Sequence, residues 1–410
     1  MLQRDAGRST HGRPAFVAGN GPSLTASIER IREFREQIVL FSCGTTTSSL
    51  IKAGLRPDIH VEVERASETQ DWITAATTQE DRDAMILLGL NTVHPDVYGL
   101  FPNRGMAMKP SDLGTAYVEG RVSRTGKVMQ LDNCNPTVGN CATALAAQMG
   151  FEEVYLVGMD FGFPDGDKHR SKLSIHYKMK EEDQEELGFS VDSEREIKTA
   201  PGNFGTTVCT NALYIAAGKA EEHVVADHPR MTCAHVSAGL KIEGTRAMRP
   251  DEIKLDNAPF DTKAVAAQIV ERAFARDGLR ALDRGDTERV FSGTADALAE
   301  LEAIAAVDID TVEAGLDVLK RLHDRIVALV SHDGDEYSQL ILKGSVNVFS
   351  LLLAQALHRT RDAAQNVEIY RDCRDRFLAF CRLARTRVSG DMLRLDERRR
   401  DLEAMLSHAP

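Results

Sequence analysis

A chain of 410 residues is too long for one ordinary hydrophobic core and points to two or three domains. With 50 Lys and Arg against 62 Asp and Glu, the formal charge of −12 argues against a general binder of nucleic acid or of membrane surfaces, while leaving room for a local basic pocket. Hydrophobic residues at 42% and charged residues at 27% are the mix of a soluble globular protein.

Residues 1–13 form a polar tail with Arg and Asp and no apolar signal-peptide core, so a cytoplasmic location is expected. From Pro14 onward, short apolar runs alternate with helical patterns. Strands are predicted at Ala15–Ala18, Ile38–Ser42, Ile59–Val63, Met85–Leu90, Glu153–Val157 and Thr232–Val236, with helices at Leu24–Phe34, Thr45–Ala53 and Asn140–Met149. This alternation predicts an α/β fold, a Rossmann-like and mostly parallel sheet with helices on both faces, over residues 14–258. Runs such as MILLGL and VYLVGM are apolar without alternation, as strands covered on both sides are.

From about residue 260 strand-like runs vanish and Pro is absent until Pro410. Thr262–Phe274, Thr311–Val330, Gly344–Leu357 and Asn366–Ala384 carry apolar residues at helical spacing, predicting an all-α bundle over residues 259–410. Val346–Leu357 holds Asn347, Ser350 and Gln355 and reads as a buried helix; no run approaches the roughly 20 apolar residues that span a bilayer. The seven cysteines show no CxxC spacing and read as small buried residues of a reducing compartment, so no zinc site is expected.

The chemistry gathers at strand ends. In PAFVAGNGPSL, Gly19 and Gly21 remove side chains where a phosphate would approach backbone N–H groups, Asn20 and Ser23 add donors, and a helix begins near Ser23 with its positive end forward. The same residues also suit a plain turn and helix cap. A dinucleotide site would want a third glycine, where Leu24 stands, and an acidic residue closing the second strand, which instead ends in Ser42, Cys43 and Gly44. A P-loop lacks its GK[ST]. A second glycine turn, Asn135 to Asn140, opens another helix, and Gly158-Met159-Asp160 closes the following strand. Ligands of open α/β sheets sit outside the carboxyl ends of the strands, where Gly19–Ser23, Cys43–Thr46, Asn91, Thr137–Gly139 and Asp160 all fall. An aspartate in Asp160's place either braces its loop or takes part in the chemistry. The loop beyond it carries Asp165 and Asp167, a DxD spelling that binds a divalent ion in some glycosyltransferases and is also common in turns, and His169 and His176, whose near-neutral pKa suits general acid–base work. On Ile59–Val63, strict alternation sets His60, Glu62 and Glu64 to one side, either as a solvated face or facing the cleft.

AGNGPSL, the strand ending in Cys43, Gly44 and Thr45, AGLRPDIHVEVER, PTVGNCATALAAQMGFEEVYLVGMDFGF and VSAGLKIEGT together resemble the motility accessory factor family of bacterial flagellin glycosyltransferases over roughly residues 14–250. The helical C-terminal part suits that family too. The core is similar to sialyltransferases that use a cytidine-monophosphate-activated sugar. The resemblance implies a nucleotide-binding turn at Asn20, Gly21, Pro22 and Ser23, and a second turn at Thr137 and Gly139 near the donor sugar, with Asn140 beside it. It also implies Asp160 as the acidic residue closing the next strand, and a base that is His176, His169 or a carboxylate such as Asp160. The implied reaction moves a nonulosonic acid from its CMP-activated donor to a Ser or Thr hydroxyl of a protein such as flagellin, with inversion and without a metal. The family carries a further domain ahead of this block, where thirteen residues precede Pro14 here. A related family with the same core resembles 6-hydroxymethylpterin pyrophosphokinases, which need ATP and magnesium. A third reading is a non-catalytic nucleotide-binding accessory protein. Nucleic acid and membrane are not expected partners, and the oligomeric state is left open.

Overall fold

The computed structural model describes residues 2, 12–123, 128–162, 197–274, 280, 283–329 and 335–407. They divide into two compact units, Met1–Leu279 and Arg280–Pro410.

In the first unit the strands β1 (Pro14–Ala18), β2 (Val39–Cys43), β3 (Ile59–Glu62), β4 (Ile86–Leu90), β5 (Arg104–Ala107), β6 (Glu153–Val157), β9 (Thr232–Val236) and β10 (Arg246–Ala247) form one sheet in the order β10-β9-β6-β1-β2-β3-β4-β5. Every pairing in it is parallel. The topology reverses between β1 and β6, whose registers pair Ala15 with Val154 and Val17 with Leu156. A separate antiparallel hairpin joins β7 (Lys198–Pro201) to β8 (Thr207–Thr210).

The unalternating strands are buried on both faces, as their sequences require. Ala15, Val17, Val39, Phe41, Ile59 and Val61 pack under α7 (Val138–Gln148) and the helices Ala212–Asp227 and Thr262–Ala273. On the opposite face, Phe16, Ala18, Leu40 and Tyr155 pack against Leu24, Ile28 and Ile31 of α1 (Leu24–Glu33) and Leu50 of α2 (Thr46–Lys52). That face continues with Leu87 against Trp72 and Ile73 of α3 (Thr69–Ala76) and the neighbouring Phe101. Each large side chain fully buried this way contributes about 1.5–3 kcal/mol.

The second unit holds the helices Arg284–Ala305, Val312–Ala328, Asp335–Leu357 and Ala363–Ser407 around Leu298, Leu301, Leu322, Val346, Leu353, Tyr370 and Phe377. Gly315 lets Val312–Ala328 close on Leu357, since a Cβ there would lie 2.7 Å from Leu357 Cδ2.

Three differences from the sequence reading have physical reasons. The helix Thr262–Ala273, expected in the bundle, packs Ala266, Ile269, Val270 and Ala273 on the sheet, so the division falls after Leu279 and not at residue 258. β5 escaped notice because RGMA is short and half exposed at the sheet edge. Glu336–Leu357, with mean hydropathy 1.6, is long and apolar enough by composition to cross a membrane, contrary to the expectation that no segment would be. Its Leu342, Val346, Leu353 and Leu357 are buried in the helical core, while Val348, Leu351 and Leu352 are exposed.

Candidate functional site

At the point where the topology reverses, the turns after β1 and β6 interlock. The Gly19 N–H donates to Val157 O and the Gly21 N–H to Gly158 O, both at 2.8 Å. A Cβ on Gly19 would lie 2.6 Å from Gly158 O, and one on Gly21 only 2.1 Å from Asp160 Oδ2. Gly158, at φ +67°, faces Gly19 O in return. The glycines are therefore accounted for by one backbone lying against another. The anion at the start of α1 is the protein's own: the Ser23 N–H donates to Asp160 Oδ2 at 3.1 Å, where the helix's positive end favours a carboxylate. The Ser237 hydroxyl donates to Asp160 Oδ1 and accepts the Gly239 N–H at 2.8 Å. Of the two readings of Asp160, the structure shows the brace. It also corrects the reading of the opening glycines as open space for a phosphate.

Behind Asp160 lies His235, fully buried, with Nε2 on Met159 O at 2.8 Å and Nδ1 on Asn203 Nδ2 at 2.9 Å. Burial holds its pKa below the ordinary value, so it stays neutral, donating through Nε2 and accepting at Nδ1. A cavity of about 580 Å³ lined by Thr199–Thr207 with Lys241, Thr245 and Ala247 opens beyond Asn203, on the hairpin and not at the glycine turns.

Met159 joins the first turn to the second. Its Sδ lies 3.1 Å from the place of a Cβ on Gly19 and 2.6 Å from that of one on Gly139. Thr137 caps α7 through a reciprocal box: the Asn140 N–H donates to Thr137 Oγ1 at 3.4 Å, while the Thr137 N–H and hydroxyl donate to Asn140 Oδ1 at 3.2 and 2.8 Å. Asn140 Nδ2 donates in turn to Ala217 O at 2.9 Å and to Glu221 Oε1 at 3.0 Å. Glu221 also accepts from Thr143 Oγ1 at 3.2 Å. Fully buried, its carboxyl is pushed up to about 8 by desolvation, against the two hydrogen bonds. Sequence reading missed Glu221. Its signal was a carboxylate sharing one helical face with Ala217 and Val224, both buried.

The turn after β2 completes the rim. Asn20 Nδ2 donates to Thr45 Oγ1 at 3.0 Å and Asn20 Oδ1 accepts from Ser49 Oγ at 2.9 Å. Gly44, at φ +50°, presents its Cα side toward Val138 Cγ1 and Glu62 Oε2. His60 and Glu62 do share a face, but α2, α3 and Phe101 cover it, and both are fully buried. His60 Nδ1 pairs with Thr47 Oγ1 at 2.8 Å, and desolvation lowers its pKa to about 3. Glu62 Oε1 accepts the Val63 and Glu64 N–H groups at 2.8 and 3.0 Å, whereas Oε2 makes no hydrogen bond among the described residues and faces His60 Nε2 at 3.8 Å. Desolvation, opposed by those bonds, raises Glu62 to about 7. Glu64 lies beyond the strand end, exposed. Asn91 is spent on the loop after β5, accepting the Lys109 N–H at 2.8 Å and donating to Asp112 at 3.0 Å.

Of the residues singled out from the sequence, Gly19–Ser23, Gly44, Thr45, Glu62, Thr137, Gly139, Asn140 and Asp160 are thus brought together at the carboxyl edge of β1, β2, β3 and β6. Cys43 is a buried thiol of the core, its pKa raised by burial, and all seven cysteines are free. His169, His176, Asp165 and Asp167 lie outside the described residues. Among the described residues no cluster of His, Cys, Asp or Glu could hold a metal ion.

Residues 2–166 match the family model of MptE-like proteins, described as 6-hydroxymethylpterin diphosphokinase MptE-like. Among solved structures, the MAf glycosyltransferase from Magnetospirillum magneticum AMB-1 matches 94% of this chain with a TM-score of 0.64 and 21% sequence identity. This chain spans 56% of the length of that protein. Both findings support the family resemblance, and the fold is that of the MAf glycosyltransferase. No curated protein matches the sequence.

Proposed function

We propose that this protein is a glycosyltransferase that binds a CMP-activated nonulosonic acid at the carboxyl edge between the Asn20–Thr45 and Thr137–Gly139 turns. The observation that carries the reading is the junction of those turns through Met159, in a chain 94% of which follows the fold of a glycosyltransferase. In the proposed reaction a Ser or Thr hydroxyl of a protein acceptor, such as flagellin, attacks the anomeric carbon. The carbon–oxygen bond to phosphate breaks, CMP leaves, and the hydroxyl proton passes to a base, for which His169 and His176 are the proposed groups. Asp160 is committed to the α1 start and to Ser237, so its proposed part is to hold the turns and not to move a proton. The reaction needs no metal and suits a cytoplasmic enzyme.

A second reading has its own support, the MptE-like match across residues 2–166. Under it the same edge takes ATP with magnesium and transfers diphosphate to a pterin alcohol. A thermal-shift panel separates the two. Stabilisation by CMP without a divalent ion supports the glycosyltransferase; stabilisation by ATP only with magnesium supports the diphosphokinase. If Asn20→Ala binds CMP as well as the parent does, the location of the site is wrong.

A further inference from the structure

The second turn is held from beneath by a residue that plays no part in the proposed chemistry. Glu221 lies on the helix Ala212–Asp227, among Ala217, Gly218 and Val224, all buried. An apolar side chain of similar volume would fill that position without desolvating a carboxyl. Glu221 Oε2 has no partner among the described residues, so the acid is not there to complete a network of its own. What it provides is two acceptor contacts to α7, from Asn140 Nδ2 and from the Thr143 hydroxyl.

Those contacts have a directional consequence. An asparagine amide has a donor end and an acceptor end, and its orientation follows its partners. Glu221 Oε1 and Ala217 O, both acceptors, lie at one end of the Asn140 amide and require Nδ2 there. Asn140 Oδ1 then faces Thr137, taking its N–H and its hydroxyl proton. With that proton committed, Thr137 Oγ1 has only lone pairs to offer anything that reaches the turn.

We infer that Glu221 is a positioning residue: acting through Asn140 together with the Ala217 carbonyl, it holds the polarity of the Thr137 turn so that the Thr137 hydroxyl accepts a hydrogen bond from a ligand and does not donate one. The ligand group at Thr137 is accordingly a hydroxyl or amino group of a sugar or base, and not a phosphate oxygen. This rests on the nucleotide-sugar reading for the identity of the ligand, but the orientation of the turn stands on the hydrogen bonds alone.

The test uses the full chain with Glu221→Leu, which removes the acceptor while keeping the volume, and Glu221→Gln, which keeps an acceptor oxygen. Amide hydrogen exchange over residues 137–140 should rise at least tenfold in Glu221→Leu and return to the parent rate in Glu221→Gln. CMP affinity by calorimetry should weaken at least fivefold in the first and recover in the second. Inorganic phosphate should leave exchange at 137–140 unchanged. Unaltered exchange in a folded Glu221→Leu overturns the positioning role, and protection of the turn by phosphate overturns its polarity. A parent protein that binds no CMP counts against the nucleotide-sugar reading, while the exchange comparison still decides the part played by Glu221.

Discussion

Asp160 Oδ2 accepts the backbone N–H of Ser23 at 3.1 Å, across 137 positions of chain, and so ties the turn after β6 to the first turn of α1. The two turns could not meet without Gly19, Gly21 and Gly158.

Removing that carboxylate leaves the Ser23 N–H and the Ser237 hydroxyl without their acceptor in a nearly closed site. Asp160→Ala should cost about 2–4 kcal/mol, from two hydrogen bonds to a charged group worth roughly 1.5–3 kcal/mol each before solvent replaces part of them. Urea denaturation of parent and variant measures it.

Two glycine substitutions should differ in cost. At Gly21 a methyl meets the Asp160 carboxylate and, at 2.7 Å, the backbone Gly158 O, which cannot move without parting β1 from β6. At Gly139 it meets only the end of the Met159 side chain, which is flexible. Gly21→Ala should lose about 3 kcal/mol or more and Gly139→Ala about 1 kcal/mol, on the usual scale of overpacking. Equal melting temperatures for the two variants would contradict the interlock.

Glu62 predicts a pH effect of definite sign. Its folded pKa, about 7, lies above the ordinary glutamate value of 4.5, so the native state binds the proton more tightly than the unfolded chain. Stability from this group is greatest below pH 4.5 and is lost as pH rises from there to about 7. Glu62→Gln keeps an acceptor for the Val63 and Glu64 N–H groups and cannot ionise. Relative to the parent, it should therefore gain stability between pH 5 and pH 8, by on the order of 2–3 kcal/mol. A gap in melting temperature that stays constant across that range would refute the buried, protonated carboxyl.

In the helical unit, Leu322 is fully buried while Leu351 is 60% exposed. Leu322→Ala should cost about 2–5 kcal/mol, and Leu351→Ser should fall within about 0.5 kcal/mol of the parent. Chemical denaturation monitored by far-UV circular dichroism reads both.

Much of the first unit was legible because central parallel strands have no polar face to disguise them. Glu153–Val157 and Thr232–Val236 have the bounds their apolar runs predict, and the other predicted strands shift by a residue at one end or, for Val39–Cys43, at both. What escaped notice had weak local signals. The edge strand Arg104–Ala107 and the exposed hairpin of β7 and β8 bury too little to impose a pattern. Thr262–Ala273 carries a helical period, but nothing local says whether its apolar stripe meets a sheet or another helix. At the site, the sequence marked the turns that converge but not what the glycines face. Asp160 stands 139 positions from Gly21, and only the fold puts its carboxylate where the sequence led one to expect a phosphate.

The position of β1 also orders the making of the protein. Its one edge pairs with β2, at Val39, but the other waits for Glu153–Val157. On the ribosome, β1 therefore keeps that edge bare until the chain has been extended past residue 157 and the new segment has cleared the exit tunnel. A pause in translation between β5 and β6 would expose a half-sheet with an open apolar border, the state in which a nascent chain most needs a chaperone.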